Sequence, residues 1–120
     1  MGEALKTNKS LKKINFYGND FKDRALCKIA FAFQEYGNIG LKELNLGNNP
    51  NMTDIGGVKF ANSLRQNYRL ARLNLSDNNL KDPTAEALNK ILINNIKLAD
   101  VDLSNNKIHL QHLELLKSNC

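Results

Sequence analysis

The sequence predicts an α/β protein, a short solenoid of about four strand-turn-helix units with a parallel sheet on its concave face and helices on its convex face. Two observations carry that prediction. Four segments, LKKINFYGNDF from Leu11, LKELNLGNNPNM from Leu41, LARLNLSDNNL from Leu70 and LADVDLSNNKI from Leu98, share the pattern LxxLxLxxNxL, and their starts lie 30, 29 and 28 residues apart. After each shared asparagine the apolar period changes from two to three and four, the change from a half-buried strand to one face of a helix. A unit of this size cannot bury its own apolar face, so the core has to form by stacking units on one another.

In chain order, residues 1–10 read as the end of a preceding unit, since ALKTNKSL matches the stretch that closes one repeat and opens the next. The alternation of Ile14 with Phe16, Leu44 with Leu46, Leu73 with Leu75 and Val101 with Leu103 predicts strands over 13–17, 43–47, 72–76 and 100–104. Helical spacing predicts helices over 22–35, 55–66, 84–95 and 110–117. Asp82 followed by Pro83 is a helix-start signal in which Asp82 is expected to cap its own helix. The last unit is shorter than the one before it, so its helix is expected to be a stub. Extra residues around Gly37 to Gly40 and at Pro50 and Asn51 fall in connections, where insertions are tolerated. Asn19, Asn49, Asn78 and Asn106 are expected to satisfy backbone groups at the bend after each strand, because a side-chain amide both donates and accepts.

These residues resemble the leucine-rich repeat family, in its long ribonuclease-inhibitor-like class. The second half of that class has the form D-x-G-a-x-x-L-a-x-x-L-x-x-N, and the chain supplies Asp54, Gly56, Gly57, Phe60, Ala61, Leu64 and Asn67 in one unit and Asp82, Thr84, Ala85, Leu88, Leu92 and Asn95 in the next. The resemblance implies one domain over 1–120 and a protein-binding role. Proteins similar in this way include ribonuclease inhibitors, innate-immune receptors, actin-capping proteins and activators of the Ran GTPase.

Composition excludes several other functions. With 120 residues, 42% apolar and 24% charged, the chain has the balance of one globular domain. No apolar run approaches the roughly 18 to 20 residues of a membrane span, and no secretory leader is recognisable, so a cytoplasmic protein without membrane association is expected. Cys27 and Cys120 are read as free thiols. No phosphate loop or nucleophile motif appears, and no cofactor or enzymatic activity is expected. His109 and His112 could share a helix face but form at most half a metal site.

Folding leaves the polar residues between the inward apolar ones unexplained. Strands of a parallel sheet covered on both faces read as continuous apolar runs, and these do not. The alternation turns Lys13, Asn15 and Tyr17, then Glu43, Asn45 and Gly47, then Arg72, Asn74 and Ser76, then Asp100, Asp102 and Ser104 outward. Of these, Lys13, Asn15, Tyr17, Glu43, Asn45, Arg72, Asn74, Asp100 and Asp102 are read as a partner-binding face, with Tyr17 as an aromatic anchor. The row Lys13, Glu43, Arg72, Asp100 alternates in sign across neighbouring strands, so ion pairs are expected along it. Asn74 on this face is expected to matter less for stability than Asn78.

The net charge of +5 divides as +3, +2 and 0 over successive forty-residue thirds, a gradient that can steer an acidic partner. It is not the dense stripe of a nucleic-acid binder, and no nucleic acid is expected. The reading is a non-enzymatic protein-interaction module, with self-association through the amino-terminal edge as a further expectation. A GTPase activator of the Ran-activating type is the alternative, resting on the resemblance.

Overall fold

A computed structural model describes residues 12–35, 40–94 and 97–119. The elements are β1 (Lys13–Asn15), α1 (Asp23–Glu35), β2 (Glu43–Asn45), α2 (Asp54–Ser63) continued by a 3-10 turn (Leu64–Gln66), β3 (Arg72–Asn74), α3 (Asp82–Leu92), β4 (Asp100–Asp102) and α4 (Leu110–Asn119). The strands form one parallel sheet in the order β1-β2-β3-β4, with Lys13 opposite Glu43, Glu43 opposite Arg72 and Arg72 opposite Asp100. The helices pack side by side in the same order. Between the two layers lies a core whose innermost side chains include Leu26, Phe33, Leu46, Phe60, Leu75 and Leu88.

Each strand ends two residues before the alternation predicts, and the cause is local. The Oδ1 atoms of Asn15, Asn45, Asn74 and Asp102 accept the amides two residues on, at 3.0, 3.0, 2.8 and 2.9 Å, which ends the regular strand. Single backbone bonds from Gly18 to Gly47, Asn48 to Ser76 and Asp77 to Ser104 still join the units. Just before each shared asparagine stands a residue with positive φ: Gly18 at 71°, Asn48 at 54°, Asp77 at 57° and Asn105 at 57°. Glycine, asparagine and aspartate are the residue types that take this left-handed conformation most readily.

The shared asparagines bond across units as well as within their own. Asn49 Oδ1 accepts the Asn19 and Phe21 amides at 3.0 and 2.9 Å, while its Nδ2 donates to the carbonyls of Phe16, Leu46 and Gly47. Asn78 accepts the Asn49 amide at 2.7 Å and donates to Leu46 and Leu75. Asn106 accepts the Leu80 amide at 3.0 Å and donates to Leu75 and Leu103. Asn19 departs from the expectation: it is exposed, and its Nδ2 donates at 3.3 Å to Tyr17 within its own turn. Among the described strands none precedes β1, so Asn19 has no described neighbour to bridge to.

The helix starts differ from the sequence reading in a consistent way. Asp82 does not cap α3; the N-cap residue is Lys81, whose side chain makes no capping bond. The acceptor comes from the preceding helix, because Asp54 Oδ1 takes the Lys81 and Thr84 amides at 3.0 and 3.2 Å and the Thr84 hydroxyl at 2.5 Å. Asp23 does the same for Thr53, accepting its amide at 2.7 Å and its hydroxyl at 2.5 Å. Asp82 in turn accepts the His109 amide at 2.8 Å ahead of α4. Each aspartate thus clasps the amino-terminal end of the next helix, where unpaired amides and the helix dipole favour a carboxylate.

This clasping brings the helices close. A Cβ on Gly57 would lie 2.9 Å from Leu80 Cδ2 and would collide with the Thr84 hydroxyl, so the tight contact between α2 and α3 requires glycine there. The final helix is not a stub: at 10 residues it equals α2. Helix α3 begins two residues before the expected start, since Pro83 fits the first turn. The expectations for residues 1–10, Leu11, Gly37 to Ile39, Asn95 and Cys120 fall outside the described residues.

Candidate functional site

The sheet face opposite the helices is open and concave. It forms a cavity lined by Lys13, Asn15, Glu43, Asn45, Arg72, Asn74, Asp100 and Asp102, together with Ile14, Leu44 and Leu73. The side chains of Leu44 and Leu73 are buried on the other side, so the strand backbone floors the cavity and the polar side chains wall it. Eight of the nine residues read as the partner-binding face thus meet in one place, whereas Gly47 and Ser76, which the alternation also turned outward, are buried. They can do so because each strand contributes the same two outward positions and the register carries no slip.

Tyr17 is the ninth, and it lies outside that cavity. Its ring leans over Gly47 in the neighbouring unit: a Cβ on Gly47 would stand 2.9 Å from Tyr17 Cδ2 and 3.1 Å from Cε2. Missing this side chain, Gly47 gives the ring a seat at the carboxy-terminal rim of the sheet. Tyr17 remains about half exposed, at 48%.

The charged row is only partly paired. Glu43 sits between two cations, with Lys13 Nζ at 3.3 Å and Arg72 at 3.1 Å. Arg72 turns toward Glu43, and among the described residues it makes no ion pair with Asp100. The expected alternation of attractions therefore stops at β3. Both observed pairs involve well-exposed cations, so each contributes about 0 to 1 kcal/mol. Asp100 and Asp102 leave the β4 end of the face acidic.

The polar row Asn15, Asn45, Asn74, Asp102 has a second role that sequence reasoning missed. Their Oδ1 atoms hold the strand-ending turns, so Asn74 is half-buried and structural as well as surface-facing. Loss of its side chain costs about 1 kcal/mol rather than the near-zero cost of a purely exposed amide. The signal that could have shown this is an Asn or Asp at the same place in all four units, three residues before a Gly, Asn or Asp.

Elsewhere the fold gathers groups that are far apart in sequence. Asp82 Oδ2 meets His109 Nδ1, and His112 Nε2 lies 3.7 Å from Asp82 Oδ2 and 3.9 Å from Glu86 Oε1. The His109 amide and ring hold the Asp82 carboxyl below the ordinary aspartate value. The sequence reading placed no carboxylate near these histidines, because α3 supplies both from the preceding unit. Among the described residues no group of three or more His, Cys, Asp or Glu side chains is placed to hold a metal ion. Cys27 is an unpaired, half-buried thiol. No helix among the described residues is long and apolar enough to cross a membrane.

Comparison with known proteins agrees with this geometry. The family described as Leucine Rich repeat matches residues 37–61 and 70–88. No curated protein matches the chain. Thirty solved chains do. One of them, titled Leiomodin-1 Actin-Binding Site 2 (ABS2), superposes with a TM-score of 0.82 at 20% identity, covering 97% of this chain and 68% of that one. At that identity the likeness is one of fold. Family-matched repeats, a parallel sheet in sequential order and asparagines bonded from unit to unit together give the chain a leucine-rich repeat fold.

Proposed function

We propose that the chain is a non-enzymatic protein-interaction module that receives a partner protein on its concave sheet and the adjoining loops. The observation that carries this reading is the convergence of Lys13, Asn15, Glu43, Asn45, Arg72, Asn74, Asp100 and Asp102 on one open, polar cavity. Turns and core explain the acceptor atoms of the amide row, but they leave Lys13, Arg72 and Asp100 without a structural task beyond weak surface pairing. Tyr17 at the rim adds an exposed aromatic, the side-chain class most often found as an interface anchor. The spacing of 28 to 30 residues and the full-length helices support assignment to the ribonuclease-inhibitor-like class. An unpaired thiol at Cys27 suits a cytoplasmic setting.

A photo-crosslinking amino acid placed in turn at Asn45, at Arg72 and at exposed Gln111 on α4 tests the reading. Actin is the first partner to try, because the similar solved structure is that of an actin-binding site. Crosslinks to a protein partner from Asn45 and Arg72 but not from Gln111 are expected. Partner capture that is unaffected by Glu43→Lys and Asp100→Lys together would contradict it.

A further inference from the structure

We propose that the convex side of the first two units is a second interaction surface, one that takes an acidic protein segment. The positive charge of the chain is unevenly divided between its two faces. The concave cavity holds two cations against three carboxylates. Among the described side chains of α1, α2, the 3-10 turn and α3, the exposed charged ones are Arg24, Lys28, Lys59, Arg65 and Lys90 against one carboxylate, Glu86. The aspartates of this layer, Asp23, Asp54 and Asp82, are half-buried and engaged by the clasps ahead of the following helices.

The cations are also placed in rows. Lys28 and Lys59 each stand five residues after the aspartate that opens their helix, so they occupy equivalent outward positions on neighbouring helices. Helices in contact lie about 8 to 10 Å apart, a span that successive acidic side chains of one segment can bridge. Beside Lys28 is a depression lined by Asp20, Phe21, Lys22, Arg24, Ala25 and Lys28. Against its one carboxylate, Asp20, which accepts from Asn51 Nδ2 at 2.7 Å, it holds three cations, Lys22, Arg24 and Lys28, over a partly apolar floor, so its balance is cationic. Such a seat suits a glutamate or aspartate side chain.

A lipid surface fits less well. On the first two units the exposed large apolar side chains of the helices are Phe31 and Ile55, one on each helix, fewer than the five cations Lys22, Arg24, Lys28, Lys59 and Arg65 of the same units.

The test titrates a labelled oligo-glutamate peptide of about ten residues onto the full chain, with an oligo-glutamine peptide as control, and follows backbone amide signals. Expected are shifts confined to the region of Lys22 to Lys28 and Lys59. Lys28→Glu should weaken binding about fivefold or more, whereas Arg72→Glu, an equal charge change on the concave face, should alter it less than about twofold. Lys59→Glu serves as the second variant if Lys28→Glu perturbs folding. The proposal is overturned by equal effects of Lys28→Glu and Arg72→Glu, by shifts on the strands, or by no binding beyond the glutamine control. Capture by phosphatidylserine vesicles without uptake of the peptide would overturn it in favour of a membrane. Because the readout is mapped to the helices, its failure is separate from failure at the concave face.

Discussion

Asn19 and Asn49 occupy the same place in the repeat, yet the fold uses them differently. Asn49 is buried, accepts two amides of the first unit and donates to three carbonyls. Asn19 is exposed and bonds within its own turn. The difference shows that a repeat residue takes its energetic weight from the unit on its amino-terminal side rather than from its letter. The strands repeat the lesson, since Leu44 and Leu73 of β2 and β3 are buried while Ile14 and Val101 of β1 and β4 are half-buried. One-dimensional stacking predicts this: inner units have two neighbours to pack on, and those at the sheet edges have one.

The largest expected effect sets the two asparagines against each other. Asn49→Ala leaves buried amides and carbonyls unpaired and should lower stability by about 3 kcal/mol, whereas Asn19→Ala should cost about 0.5 kcal/mol or less. Urea midpoints with unchanged slopes would show it, and equal losses would break the comparison. Next is the clasp between helices. Asp54→Ala removes an acceptor shared by the Lys81 amide and by the amide and hydroxyl of Thr84, and should cost about 2 kcal/mol. A loss no larger than that of an ordinary surface change, measured by thermal unfolding, would show that the helices start without help from their neighbours.

A smaller effect is expected at the left-handed turn. Asp77→Val places a β-branched residue at a φ of 57° and should cost about 1 to 2 kcal/mol, while Asp77→Gly should be close to neutral. Similar midpoints for the two variants would remove the backbone argument. The smallest effect is pH-dependent and belongs to the last unit. Asp82 has a folded-state value below the ordinary one, so its stabilisation is present above the unfolded value and is lost as pH falls through the folded value, below about pH 4. Unfolding of the parent and of Asp82→Asn should therefore differ fully above the ordinary aspartate range and converge in acid. A gap that widens on acidification would reverse the sign.

Much of this was legible in the sequence because repetition supplies its own control. Four copies made the strand positions, the helix faces and three of the four structural asparagines readable, and eight of the nine residues read as the partner-binding face line the concave cavity. What repetition hides is the contact between copies. The partners of Asp23, Asp54 and Asp82 lie in the following unit, so Asp82 read as the cap of its own helix and His109 as a residue without a carboxylate beside it. The turn residues Gly18, Asn48, Asp77 and Asn105 were visible as types but not as a conformation, and so the strands were drawn too long. The place of Tyr17 depended on a missing side chain at Gly47 across the sheet, a fact about a neighbour rather than about Tyr17. Charge was counted along the chain, which blurs two faces that each unit contributes to.

Native-state hydrogen exchange on Asn49→Ala tests the central claim most directly, because it reads the amides that the asparagine side chain accepts. The account predicts that Asn19 and Phe21, in the preceding unit, lose protection beyond the global fall in stability, while the Leu80 amide held by Asn106 falls only with the global value. Retained protection at Asn19 and Phe21, or a uniform loss across all units, would contradict it.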